Sequence, residues 1–132
     1  MDSITKLENS IEHASQRVAK AKKVKALYDH PDFNEIVVKG FFEQEAIRMV
    51  ARYGDGTATA EELADLEKDM HAIGAFRRFL SMIVQDGRLA ESDIRVAQDA
   101  LEEELAMQAE ARSRGEELPK SVDPDYAGNL GA

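Results

Sequence analysis

Residues 54–62 read Gly54-Asp55-Gly56-Thr57-Ala58-Thr59-Ala60-Glu61-Glu62, and this stretch decides the fold. Its first half sets two glycines around an aspartate, which is the composition of a turn. Glycine reaches left-handed backbone, and a short Asp side chain bonds the backbone just ahead of it. The second half is a helix start. Thr59 followed by Glu62 is a capping-box pattern, in which each side chain satisfies the other residue's free N–H. A turn running straight into a cap predicts helix, short reversal, helix.

Outward from this point apolar residues recur every three or four positions, the helical period. Upstream, Phe33, Ile36, Val37, Phe41, Ile47 and Val50 mark one wide face of a helix over residues 31–53. That helix opens at Asp29-His30-Pro31, because proline is tolerated in a first turn and Asp32 suits the helix dipole. Downstream, Leu63, Leu66, Met70, Ile73, Leu80 and Ile83 predict a helix over residues 59–86, closed at Asp86-Gly87 by a left-handed glycine. A fourth helix is expected over residues 89–114, with Ile94, Ala97, Leu101, Leu105 and Gln108 on one stripe, Glu102, Glu103 and Glu104 on acidic faces, and Gly115 as its stop.

The first helix, over residues 3–28, is patterned differently. Ile4, Leu7, Ile11, Ala14, Val18 and Ala21 alternate steps of three and four, the two-in-seven seam of coiled coils. Lys25 then falls where an apolar residue is due, and the stripe shifts to Val24, Leu27 and Tyr28. The seam serves either an ordinary helix packed on its own domain or an arm that pairs with a partner helix. Ile4, Leu7, Ile11 and Val18 are its interface candidates. Alanines on the seam bury little area, so this helix alone is weak.

The expected architecture is therefore all-α. Four amphipathic helices form one domain over residues 1–114, with a central antiparallel hairpin between two long helices, and residues 115–132 form an extended coil tail. Gly40 and Gly74 lie inside helices, where glycine costs about 1 kcal/mol relative to alanine. They are expected to mark a tight helix crossing with Phe41 or Phe76 beside it. In the tail, Pro119, Pro124, Gly128 and Gly131 exclude regular structure, while Leu118, Val122, Tyr126 and Leu130 offer apolar anchors that order on a partner.

Composition limits the function classes. A chain of 132 residues has room for one domain, and a net charge of −9 with 33 % charged residues disfavours a dedicated nucleic-acid binder. Residues 1–66 hold 9 basic and 12 acidic groups, residues 67–132 hold 8 and 14, so the acidity grows along the chain. Without cysteine there is no disulfide or thiolate chemistry, which fits a reducing compartment. The start Met1-Asp2-Ser3 is polar and has no signal-peptide core, and no apolar run approaches the roughly 18 residues of a membrane span. A cytosolic or a particle-bound location is expected.

Residues that look reactive have plainer readings. Asp55, Gly56 and Glu62 fit the second half of a calcium loop, but Ala51 and Tyr53 stand where its first carboxylates belong, and a hard cation needs six to eight oxygens. His13, His30 and His71 sit in different segments without a zinc or di-metal spacing. No nucleophile elbow or phosphate loop is present. No catalytic residue, cofactor or metal is expected. Lys20, Lys22, Lys23 and Lys25 form a basic patch spread around the helix with no aromatic among them, so they are either solvated surface or a contact for an acidic partner or nucleic acid. Arg77-Arg78 between Phe76 and Phe79 has the composition of an interface anchor, and equally of a helix edge.

Pro31-Asp32-Phe33, Gly40-Phe41-Phe42, Glu45-Ala46-Ile47-Arg48, Ile73-Gly74-Ala75-Phe76, Phe79-Leu80 and Gly87 together resemble the small acidic all-helical virion and assembly proteins of tailed bacteriophages. The resemblance covers residues 27–105 and leaves the first helix and the tail unmatched. It implies a virion component or assembly factor that binds capsid, portal or tail proteins as one of many copies, and it carries over no catalytic residue. Two other classes remain open: a small terminase-like DNA-recognition subunit, and a cytosolic helical adaptor or inhibitor that sequesters one protein.

Overall fold

The computed structural model describes residues 2–115, and among them all regular structure is helical. Helix α1 is Ser3–Asp29, helix α2 covers residues 31–54, and helix α3 is Ala60–Ser113. Each start is capped by a side chain. Asp2 Oδ1 accepts the N–H of Thr5 at 2.6 Å, His30 Nδ1 accepts that of Asp32 at 3.1 Å, and Thr59 Oγ1 accepts that of Glu62 at 3.1 Å. These caps satisfy donors that a helix start leaves orphaned. Pro31 occupies the first helical position, as its missing donor allows.

The turn chemistry expected at residues 54–59 forms, with one change. Gly56 takes φ 77°, and Asp55 folds over the turn to accept the Thr57 N–H at 2.9 Å. Only half of the capping box forms. Thr59 caps Glu62, but the Glu62 carboxylate turns to Arg52 instead of returning to Thr59.

The expected break at Asp86-Gly87 does not exist. α3 runs unbroken through it, so the described chain holds three helices where the sequence predicts four. A terminating glycine needs positive φ, and among the described glycines only Gly56 and Gly115 have it. Gly87 is instead a buried position on the inward stripe Ile73, Leu80, Gly87, Ile94, Leu101 and Gln108, one residue every seven. Burial, not a turn, accounts for the small residue there. The actual stop is Gly115, with φ 72° and its N–H on the Arg112 carbonyl at 3.0 Å.

α2 is not uniform. Pro31–Phe33 and Ala46–Gly54 are α-helical, and the twelve residues Asn34–Glu45 between them are π-helical. Bonding to the fifth residue along widens the helix and puts more residues in each turn, so side chains after the segment lag behind their α-helical positions. The wide face expected on this helix is split accordingly. Phe42 and Met49 are buried, Phe33, Val37 and Phe41 are half-buried, and Ile36, Ile47 and Val50 are exposed.

By contacts the chain divides into two compact units, and α1 and α3 each contribute to both. In the unit of residues 20–86, Val24, Phe42, Met49, Ile73 and Leu80 form the buried core, with Tyr28, Leu66 and Met70 packed against it. Burying one such large side chain stabilises by about 1.5–3 kcal/mol. In the other unit the buried positions are small: Ala14, Gly87, Ala90, Ala97 and Ala111, with Ile4, Leu7, Ile11, Val18, Ile94 and Leu101 half-buried. There Arg17 bonds Asp93 at 3.0 Å.

Candidate interaction surfaces

Arg52 organises the turn between α2 and α3. Its guanidinium bonds Asp55 at 3.1 Å, Thr57 Oγ1 at 2.6 Å and the Glu62 carboxylate, which raises its own pKa, chiefly through Glu62. The Thr57 N–H and hydroxyl hold the Asp55 carboxyl below the usual aspartate value. Asp55 is thus occupied by the turn, and the calcium-loop pattern is a turn pattern. One turn away, Tyr53 donates to Glu67 at 3.1 Å, and its phenol is pushed up by that carboxylate. Glu45 and Arg48 form a two-oxygen pair at 3.1 Å, which lowers the glutamate and raises the arginine. These exposed pairs shape the surface more than they stabilise it.

Around Phe42 lies an aromatic group. Its ring meets Phe76 edge-on at 5.4 Å, Phe41 stands 6.0 Å away, and Arg77 lies over its face at 5.8 Å. On one side is an open groove of ≈ 370 Å³ lined by Ile36, Val37, Gly40, Phe41, Glu45 and Phe76. A second open cleft, of ≈ 420 Å³, is lined by Tyr28, Gly74, Arg77, Arg78 and Ser81. Arg77 and Arg78 are both exposed beside it.

The two interior glycines are not a helix crossing. A Cβ on Gly74 would meet only the tip of Arg78, at 3.5 Å, which is ordinary contact. On Gly40 it would meet the Glu35 carbonyl of its own helix at 3.2 Å, a consequence of the π-helical winding. Neither reaches another helix.

Among the remaining interface candidates, Ile4, Leu7, Ile11 and Val18 are half-buried. Leu118, Val122, Tyr126 and Leu130 lie outside the described residues, as does most of the expected tail. Lys20, Lys22, Lys23 and Lys25 are exposed. Among the described residues no three His, Asp or Glu side chains gather where they could hold a metal ion, and no helix is long and apolar enough to cross a membrane.

Comparison with protein-family models, curated proteins and solved structures finds no match to this chain.

The surface that periodicity misses is on the outward side of α3. Met82, Leu89, Val96 and Met107 are 65, 63, 68 and 63 % exposed. Their spacing is visible in the sequence, because Met82, Leu89 and Val96 are seven apart, but a search for one apolar stripe per helix passes over a second.

Proposed function

We propose that this protein is a non-enzymatic structural or assembly protein of a tailed-bacteriophage particle, present in many copies and binding capsid, portal or tail proteins through its helix faces. One observation carries the reading: a row of large apolar side chains on α3, Met82, Leu89 and Val96, remains in water. On α2, Ile36, Ile47 and Val50 are also exposed, at 67, 69 and 61 %. Scattered single apolar residues are normal on a monomer, but contiguous ones mark surfaces that other proteins cover. The resemblance of residues 27–105 to phage virion and assembly proteins supplies the setting.

In this reading α2 and the first half of α3 pair as an antiparallel hairpin, and the groove beside Phe41 and Phe76 receives a partner side chain. Leu118, Val122, Tyr126 and Leu130 would add apolar contacts along a shell protein, a long grip at low affinity per unit area. The net charge of −9 argues against a DNA-recognition role.

Quantitative mass spectrometry of purified particles tests the proposal. Many copies per particle are expected. Absence from particles, with the chain recovered only in a one-to-one complex with a host protein, would overturn it in favour of the adaptor.

A further inference from the structure

The cleft lined by Tyr28, Gly74, Arg77, Arg78 and Ser81 lies wholly within the unit of residues 20–86, between the end of α1 and the middle of α3. Its chemistry is one-sided. Two guanidiniums, a phenol and a hydroxyl can all donate, and no carboxylate lines it. None of these four side chains is hydrogen-bonded or ion-paired to another described residue.

Neither helix supplies an acid to quench the charge. The positions three and four away from Arg77 and Arg78 are Ile73, Gly74, Ala75, Leu80, Ser81 and Met82. In a chain of net charge −9, α3 has no Asp or Glu from residue 70 to 85, and α1 has none from residue 13 to 28. Lys20, Lys22, Lys23 and Lys25 add positive charge to the same unit.

Both arginines are also placed. Arg77 lies over the Phe42 ring at 5.8 Å from its centroid. Adjacent residues on a helix point about 100° apart, and Arg78 reaches the cleft by folding back one turn over Gly74. Its Nη1 comes to 3.5 Å from where a Cβ on that glycine would stand.

We infer that this cleft binds phosphate, free or as a monoester, between the two guanidiniums. One guanidinium fork satisfies a planar carboxylate, whereas two cations match the roughly −1.5 to −2 charge that a phosphate monoester carries at pH 7. Tyr28 and Ser81 supply donors for the remaining oxygens. A phosphodiester carries a single charge and fewer free oxygens, so a nucleic-acid backbone fits less well. The open space of ≈ 420 Å³ admits the phosphate together with the group that bears it. The inference goes beyond the assembly reading and does not depend on it.

The test is an NMR titration of the full chain at low ionic strength, following the side-chain Nε–Hε signals of Arg77 and Arg78. Inorganic phosphate, phenyl phosphate and dimethyl phosphate are the probes. Saturable shifts are expected with the first two, and binding roughly tenfold weaker with the diester. Tighter binding of phenyl phosphate than of phosphate would assign the site to an esterified group, and the reverse to the free ion. Arg78→Gln should raise the dissociation constant roughly tenfold with the melt unchanged, since its guanidinium stands outside the core. Tyr28→Phe, which keeps its ring against Phe33, should weaken binding less. Phosphate shifts that never saturate, an equal response to dimethyl phosphate, or wild-type binding by Arg78→Gln would each overturn the inference. So would saturable binding of duplex DNA without any response to phenyl phosphate. None of these outcomes touches the copy number found in particles, which decides the broader reading separately.

Discussion

At Gly74 a methyl group would touch nothing but the end of a flexible arginine, 3.5 Å away. The residue therefore bears the backbone entropy of glycine in mid-helix without a close neighbour to justify it. Gly74→Ala should raise stability by about 1 kcal/mol, read as a shift in the urea midpoint. A loss of stability would show a contact at this position after all. Asp55 makes a different kind of prediction. Its folded pKa is held down by Thr57, so its contribution is present above the unfolded value of about 4 and is lost as pH falls through the folded one. The melting temperatures of wild type and Asp55→Asn should differ at pH 7 and converge below about pH 4. A gap that stays constant would mean that the ionised carboxylate contributes nothing to the turn. Such details are half legible in the sequence: Asp-Gly announces a turn, but nothing local says that Arg52 draws Glu62 away from the cap.

Among the elements, α3 offers the clearest test. If residue 87 were a helix end, proline there would be tolerated. Inside a continuous helix it removes a hydrogen bond and strikes the preceding turn, so Gly87→Pro should lower stability by about 3 kcal/mol or more in chemical denaturation. Near-wild-type stability would restore the break. The helical class, the caps at His30-Pro31 and Thr59, and the stop at Gly115 are readable because each rests on local backbone chemistry. The merger of two expected helices is not, since Asp-Gly is equally a terminator and a buried small residue in context. Its spacing, seven from Leu80 and seven from Ile94, is the better guide. The π-helical Asn34–Glu45 has no local signature that periodicity can use, and it displaces Ile47 and Val50 from the core to the surface.

For the whole molecule, the inward seams are legible and the outward ones are not. Ile4 to Ala21 on α1 and Ile73 onward on α3 show a period that burial enforces, whereas an exposed row such as Leu89, Val96 and Met107 looks like noise until the buried row has been placed beside it. Those wet side chains also leave a calorimetric signature. Unfolding raises the heat capacity only in proportion to the apolar surface it newly exposes, and residues already in water add nothing. The isolated chain should therefore have a shallower stability curve than its length suggests. The missing heat capacity would reappear with negative sign in the titration of whatever partner covers the row.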